Sequence, residues 1–299
     1  MAPCDDRESK TTAPISAEEL APGLYITATP IGNASDITLR ALNVLRKCDA
    51  IVAEDTRVTS RLLALHGISR PLLIYNEHNA GAVEAKLLRR LRSGERLALV
   101  GDAGTPLISD PGLRLVKAAR EEGLSVVPVP GPSAVIAALS AAGIAPIPFL
   151  FAGFLAPRHG ERCSTLKQLR EVRATLVFFE SPQRLCESLT DMAEMLGDRD
   201  ACVAREITKL HEEIRLGTLR HLQAHYSANP ARGEVVVIVA PGADNGPDPA
   251  LIDSLLRQAL PFMPVKAAAS LVAEATETGR RAIYDRALAL AGRADETSD

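Results

Sequence analysis

The feature that most constrains the fold is an alternation of short apolar runs with helical patterns from residue 24 to residue 240. Several of the runs are apolar throughout, which is typical of parallel strands covered on both faces. Strands that alternate with helices predict an α/β fold. The predicted strands are 24–29, 50–55, 72–75, 96–101, 125–129, 175–180, 201–206 and 234–240.

Eight strands also fit a single (β/α)8 barrel, so the alternation alone leaves two architectures open. The segment 124–157 has no charged residue, but prolines at 128, 130, 132, 146 and 148 interrupt it too often for a membrane-spanning helix. We interpret it as a buried strand, a buried helix starting near Ser133, and a connection between domains. We therefore favour two α/β lobes, at 21–143 and 144–242.

The two ends of the chain depart from this pattern. Residues 1–20 carry two basic and five acidic side chains and no apolar run, which predicts a disordered tail and no signal peptide. Residues 243–249 (ADNGPDP) predict a linker. The rest of the extension, to residue 299, is Ala- and Leu-rich and predicts two or three short helices that resemble a helix-turn-helix.

Charge and cysteine usage exclude several classes of protein. The chain has 34 basic and 37 acidic residues, so it does not bind nucleic acid by bulk charge alone, and any basic surface must be local. The five cysteines show neither CxxC spacing nor clustering with histidines. They predict reduced thiols in a cytoplasmic protein, with no metal site and no membrane span.

Four unusual turns follow predicted strands: TPIGN at 29–33, EDTR at 54–57, GDAGTP at 101–106 and VPGPSA at 129–134. Glycine lets the backbone approach a ligand closely, and helix N-termini favour anionic groups. Neither the dinucleotide fingerprint nor a P-loop is present. Any one turn is equally well explained as a stiff βα connection, but four at one sheet edge predict a cofactor site.

The ordered motifs TPIGNASDITLRAL, EDTR, VGDAGTPLISDPG, VPGPSA, FFESPQR and AREITKLHEE resemble those of the bacterial 16S ribosomal RNA cytidine 2′-O-methyltransferases. That family belongs to the tetrapyrrole-methylase superfamily. The resemblance covers residues 23–242, and 262–289 is similar to the helical extension of the same family. Three positions depart from the family pattern: Gly101, Phe179 and Gln183.

The resemblance implies two α/β lobes with S-adenosyl-L-methionine between them, in a homodimer. It also implies methylation of a cytidine ribose 2′-hydroxyl in the decoding centre of the small ribosomal subunit. Carried over by motif, the resemblance implies cofactor contacts at the GDAGTP turn, at Ile108 just beyond it, and at VPGPSA. The expected cofactor-binding residues are Pro30, Gly32, Asp102, Ala103, Gly104, Thr105, Ile108, Ser133 and Ala134.

Methyl transfer to a hydroxyl requires positioning and removal of a poorly acidic proton. The catalytic candidates are Lys209, Glu206, Glu180 and Asp55. Lys209 would be a base if burial lowered its pKa, and an orienting cation if it paired with Glu206. Each carboxylate fits a structural ion pair equally well, and Asp102 fits a turn cap. The sequence does not assign the base.

Two basic segments, 86–96 and 158–173, are candidates for RNA contact, although either also fits a solvated helix face. We favour the second because it follows the lobe junction, and we add the arginine of EDTR. The expected RNA-binding residues are Arg57, Arg158, Arg162 and Arg170. Two alternative functions stay open: C-methylation of a tetrapyrrole, and a non-catalytic ribosome assembly factor.

Overall fold

The computed structural model describes residues 19–76, 80–108, 111–242, 249–276 and 278–295. The chain forms two compact units, of which the first ends at Gly242. Residues 1–18 of the predicted tail and 243–248 of the predicted linker lie outside the described residues. No helix in the described ranges is long and apolar enough to cross a membrane.

The first half of the larger unit is a five-stranded parallel sheet. Its strands are β1 (Gly23–Thr27), β2 (Ala50–Ala53), β3 (Leu72–Ile74), β4 (Arg96–Val100) and β5 (Val126–Val129). Their order is β3-β2-β4-β1-β5. The helices between them are α1 (Leu39–Lys47), α2 (Thr56–Leu65), α3 (Ala80–Arg92) and α4 (Leu113–Glu121). Separate apolar clusters cover the two faces of this sheet.

The second half of the unit holds another five-stranded sheet. Its strands are β6 (Phe149–Phe154), β7 (Thr175–Glu180), β8 (Asp200–Arg205), β9 (Glu213–Thr218) and β10 (Val235–Val239). Their order is β6-β7-β10-β8-β9, and only the β6–β7 pair is parallel. The helices are α5 (Ala134–Ala141), α6 (His159–Leu169), α7 (Leu185–Leu196) and α8 (Leu219–Ala228).

Two separate sheets rule out the single barrel and confirm the two-lobed α/β fold. The sequence missed β6 and β9. Strand β6 lacks a regular strand pattern in its sequence, because its pairing register with β7 shifts between Phe151 and Phe154. Gly153, with φ +68°, lies at this shift. The apolar run of β10 lies in antiparallel pairs, so this run indicates burial on both faces and not parallel pairing.

Helix α5 packs on the second sheet. Val135, Ala138 and Leu139 join a cluster with Val177 and Ile238 on one face of that sheet. The predicted lobe boundary at 143/144 placed this helix in the first lobe. The packing instead favours a boundary between β5 and α5, inside the VPGPSA turn, so this turn connects the two lobes.

The second compact unit consists of α9 (Pro249–Ala259), α10 (Val265–Ala275) and α11 (Arg280–Asp295). Its core is built from small and branched side chains, of which Leu256, Ala268 and Ala287 are fully buried. The three helices agree with the helical extension predicted for this part of the chain.

Candidate active site

The larger of two adjoining cavities, about 460 Å³ in volume, lies between the two sheets. The first lobe contributes the turns after β4 and β5. The second contributes the ends of β6 and β7 and the start of β10. The start of β10 is adjacent to the end of β7 because the two strands are antiparallel. Small-molecule sites commonly have volumes in this range, of about 300–1,000 Å³.

The turn Gly101–Pro106 is fixed by main-chain contacts. Thr29 and Gly104 form an isolated β-bridge, with N–H···O distances of 2.9 and 3.0 Å. The Thr105 hydroxyl donates to the Pro132 carbonyl at 3.2 Å, which ties this turn to VPGPSA. Gly104 has φ +77°, and an added Cβ would lie 3.3 Å from Ile31 Cγ2. The turn therefore needs glycine for its backbone conformation.

Seven of the nine expected cofactor residues line the larger cavity: Asp102, Ala103, Gly104, Thr105, Ile108, Ser133 and Ala134. Pro30 and Gly32 do not; they line the smaller cavity. An added Cβ at Gly32 would lie 2.5 Å from Lys209 Cγ and 2.9 Å from the Ile207 carbonyl oxygen. The close approach at Gly32 is thus to another part of this chain.

An aromatic wall closes one side of the larger cavity. The rings of Phe154 and Phe179 line it, with centroids 5.5 Å apart, and Phe151 packs edge-on against Phe179 at 4.8 Å. Residues of the turns Gly101–Pro106 and VPGPSA also line the cavity. The cavity thus combines an apolar wall with backbone polar groups and a carboxylate, Asp102, whose pKa is raised by partial desolvation.

The smaller cavity has a volume of about 280 Å³. It lies between the turn 29–34, Lys209 and one face of α2, which contributes Val58, Thr59, Leu62 and Leu65. Four residues line both cavities: Ile31, Asp102, Ala103 and Glu234. The two spaces therefore meet along a border that carries two carboxylates.

Lys209 lies at this border and pairs with two carboxylates. Its ammonium donates to Glu206 Oε1 at 2.8 Å and to Glu234 Oε2 at 3.1 Å. Desolvation lowers the pKa of Lys209, but the two hydrogen bonds outweigh it, so the pKa is raised above its usual value. The hydrogen bond from Lys209 lowers the pKa of Glu206. The two ion pairs and the raised pKa favour the orienting cation over the neutral base.

The backbone around Lys209 is unusual. The segment 206–212 is a turn and not a helix, and Glu206 and Thr208 have φ of +51° and +66°. The Thr208 hydroxyl accepts the Asn33 N–H at 3.1 Å, which joins this turn to the first lobe. Non-glycine residues at positive φ store strain and cluster at functional sites.

Sequence reasoning missed Gly233 and Glu234. A Cβ at Gly233, which has φ +81°, would overlap the Glu206 carboxylate, and the Glu234 N–H donates to the same carboxylate at 3.0 Å. In the sequence, only the dipeptide Gly-Glu before a buried strand marked these positions, and such dipeptides are common. Antiparallel pairing of β10 with β8 brings them beside Glu206.

The other two catalytic candidates have structural partners. Asp55 caps α2 by accepting the Arg57 N–H at 2.8 Å, and the Arg57 guanidinium lowers the pKa of Asp55 to about 2. Glu180 is buried, and its Oε1 accepts from the Ser181 N–H and the Arg184 guanidinium, both at 2.7 Å. Both side chains already bind protein cations, which favours the structural reading that the sequence left open.

Of the four expected RNA-binding arginines, Arg162 is wrongly assigned. Its side chain is 2% exposed, because it pairs with Asp191 between α6 and α7 and donates to the Pro157 carbonyl. A buried guanidinium does not reach a phosphate. The side chains of Arg57, Arg158 and Arg170 are 84%, 82% and 64% exposed and stay available.

Comparison with known proteins settles the family. Residues 23–223 match the model of the Tetrapyrrole (Corrin/Porphyrin) Methylases. The chain belongs to this methylase family. Residues 246–291 match the RsmI C-terminal HTH domain. These matches confirm the family predicted from the motifs.

Similar proteins cover nearly the whole chain. A protein of Mesorhizobium japonicum is 51% identical over 92% of this chain and 95% of its own length. A protein of Erythrobacter litoralis is 49% identical over 92% of this chain and 98% of its own length. One of Pseudomonas aeruginosa is 45% identical over 90% and 98%. Each is named ribosomal RNA small subunit methyltransferase I.

Solved structures of more distant proteins share the fold. The cobalt precorrin-4 methyltransferase CbiF is 21% identical with a TM-score of 0.57, over 73% of this chain and 94% of that one. A diphthine synthase is 16% identical with a TM-score of 0.58, over 73% and 89%. The family uses S-adenosyl-L-methionine, as predicted for the cofactor. The larger cavity fits this molecule, since it combines an apolar wall, a carboxylate and a glycine cradle.

Proposed function

We propose that this chain methylates the ribose 2′-hydroxyl of a cytidine in the decoding centre of 16S ribosomal RNA, acting on the small ribosomal subunit. The observation that carries the proposal is the 51% identity to a ribosomal RNA small subunit methyltransferase I over 92% of the chain. The cytidine, the 2′ position and the decoding centre rest on the resemblance of the motifs.

In this proposal S-adenosyl-L-methionine binds in the larger cavity. Its sulfonium supplies an activated methyl group, a chemistry that requires no metal. The turn Gly101–Pro106 and Ser133–Ala134 hold it with backbone groups, and Phe154 and Phe179 exclude water from the opposite side. Asp102 places a carboxylate at the border with the smaller cavity, where it favours a positive charge.

The acceptor nucleoside enters the smaller cavity. Its ribose hydroxyl then meets Lys209, Glu234 and Asp102 at the border between the two spaces. An ammonium has three N–H donors, and the bonds to Glu206 and Glu234 use two of them. The third orients the acceptor oxygen. Glu206 holds Lys209 charged and in place, so it is a positioning residue.

Glu234 is the carboxylate that we assign as acceptor of the hydroxyl proton. It lines both cavities and its side chain is 73% exposed, whereas Glu180 is buried in an ion pair. Asp55 and Glu180 shape the site through α2 and α7 and do not react. A base that contacts the proton typically contributes about 10²–10⁴-fold to the rate.

The RNA surface in this proposal includes Arg57, Arg158 and Arg170, all exposed. Arg57 follows β2 beside the smaller cavity, whereas the other two flank α6. The chain acts as a cytoplasmic homodimer. Light scattering after size-exclusion chromatography gives the mass of the assembly in solution, and a monomer mass would contradict the dimer.

One experiment tests the function. The protein and methyl-labelled cofactor are incubated in three separate reactions. One contains small subunits from cells that lack this methylation, one contains free 16S RNA, and one contains a tetrapyrrole. We expect label in small subunits, recovered after nuclease digestion as 2′-O-methylcytidine. Label in the tetrapyrrole would replace the proposal with C-methylation. Subunit binding without any label would instead indicate a non-catalytic assembly factor.

A further inference from the structure

Three side chains with metal-ligating atoms meet between α6 and α7, away from both cavities. His159 and Cys163 lie one helical turn apart on α6, and Asp191 faces them from α7. Their ligand atoms all lie within 4.8 Å of one another. His159 Nδ1 is 3.2 Å from each Asp191 carboxylate oxygen and 3.6 Å from Cys163 Sγ.

The two separations from His159 Nδ1, to Asp191 and to Cys163, match a tetrahedral zinc site. Zinc binds nitrogen and oxygen at about 2.0–2.2 Å and sulfur at about 2.3 Å, so neighbouring ligand atoms lie about 3.3–3.6 Å apart. Two ligands at i and i+4 on one helix face is also the spacing used by helical zinc motifs. The apo side chains thus need little movement to enclose an ion.

Asp191 is already held in place for this role. The residue is 4% exposed, and its Oδ2 accepts from the buried Arg162 guanidinium. Arg162 also lies 3.7 Å from Glu187. The second oxygen, Oδ1, faces His159. Arg162 therefore orients one ligand from outside the site, as outer-shell partners do in known metal sites.

We propose that His159, Cys163 and Asp191 bind a zinc ion, with water as the fourth ligand. A nitrogen, a thiolate and a carboxylate oxygen suit zinc and exclude magnesium and calcium, which take oxygen ligands. The His159 side chain is 70% exposed, which gives the ion access from solvent. The bound ion joins α6 to α7.

Charge balance is compatible with this ion. Binding displaces the Cys163 thiol proton to solvent, because the thiolate is the form that ligates zinc. Two positive charges on zinc then meet the thiolate and the Asp191 carboxylate, while Arg162 is offset by Glu187. No further charged group is needed to neutralise the site.

Cobalt(II) substitution tests the site directly. The full chain, freed of metal by chelation, is titrated with Co²⁺, and we expect the thiolate-to-cobalt charge-transfer band and the intense visible bands of a tetrahedral complex. Added Zn²⁺ should abolish them. Cys163→Ser should abolish the thiolate band, and His159→Gln should weaken binding by more than the about 10–100-fold that loss of an outer-shell partner brings.

Cys186→Ser is the matched control, because Cys186 is also partly buried on α7 but is not in the cluster. It should keep both the band and the affinity. Circular dichroism and the melting temperature without metal establish that each variant is folded. A wild-type titration without a thiolate band, or a band that survives Cys163→Ser, overturns the proposal.

Discussion

Two charged clusters of the second lobe use the same chemistry in different surroundings. Arg162 and Asp191 are buried between α6 and α7, with side chains 2% and 6% exposed. Lys209 lies between Glu206 and Glu234 at the border of the two cavities, with 29% of its side chain exposed. A buried pair has no hydrogen bonds left for a substrate, whereas one facing a cavity does. Exposure, and not composition, decides which of the two clusters can contact a substrate.

The largest expected effect is on the buried pair. Arg162→Met keeps the apolar stem but leaves the Asp191 charge buried without its main partner, so we expect the free energy of unfolding to fall by about 3–5 kcal/mol. Chemical denaturation measures it, with chelator present. Arg158→Met removes the exposed Arg158–Glu161 pair on the same helix, and this control should change stability by less than about 1 kcal/mol. Equal effects would contradict the distinction.

The second prediction concerns Lys209, which pairs with Glu206 and Glu234 at the border of the two cavities. Lys209→Met preserves chain length and packing but removes the cation that orients the acceptor, so we expect the methyl-transfer step to slow by about 10²–10³-fold. Single-turnover methylation of small subunits measures the rate. Cofactor affinity and unfolding free energy should change little. A rate within about threefold of wild type would return Lys209 to a purely structural pair.

Gly104→Val tests the part of the site that is built from backbone. At φ +77° a branched side chain brings about 1–3 kcal/mol of strain, and its methyl groups enter the larger cavity. We expect the cofactor Kd to rise by at least about tenfold, or roughly 1.4 kcal/mol, by calorimetry.

The control for Gly104 is Gly123→Val. Gly123 has φ +70°, but nothing lies within 4 Å of an added Cβ. This variant carries similar strain and should keep wild-type cofactor affinity. If both variants bind the cofactor as tightly as wild type, the cofactor does not occupy the larger cavity.

A smaller effect is expected on the RNA surface. Reversing Arg158 and Arg170 to Glu should weaken binding of small subunits and reduce the slope of log affinity against log salt by about one for each phosphate that the variant no longer neutralises. Cofactor affinity should not change. Arg89→Glu, in the competing basic segment 86–96, is the comparison. A larger decrease for Arg89 than for the pair would place the RNA surface on α3.

The smallest expected effect is on the pH dependence of the methylation rate. The pKa of Lys209 is raised, and that of Glu206 is lowered, so neither group titrates near neutrality. The ratio of the wild-type rate to the Lys209→Met rate should therefore stay constant between about pH 6 and pH 9. A neutral amine acting as base would instead make the ratio rise about tenfold per pH unit.

Much of the fold and of the cofactor side of the site was predictable because it depends on local sequence. Glycine and proline turns at strand ends predicted a cofactor site, and the resemblance of their motifs to a known family supplied the lining residues from Asp102 to Ala134. The error at Arg162 has a physical cause. Arg162 was assigned to RNA because an arginine suits a phosphate, but it is buried in a pair with Asp191, which comes from the next helix. Linear spacing does not show such contacts.

The metal cluster illustrates the same limit. His159 and Cys163 are four residues apart, a spacing that the sequence analysis did not single out. Asp191 comes from the following helix, and the packing of α6 on α7 brings it to them. An expectation of no metal site rested on spacing along the chain, whereas a metal site depends on distance in space.

The sequence by itself determined the α/β class, the family and the glycine turns, because strand and helix periodicity and backbone conformation are set by neighbouring residues. Tertiary structure decided the rest. Antiparallel pairing of β10 with β7 and β8 placed Gly233 and Glu234 beside Glu206 and Lys209. Burial then decided which ion pairs are structural, since the same arginine or lysine is a core element when desolvated and a ligand contact when it faces a cavity.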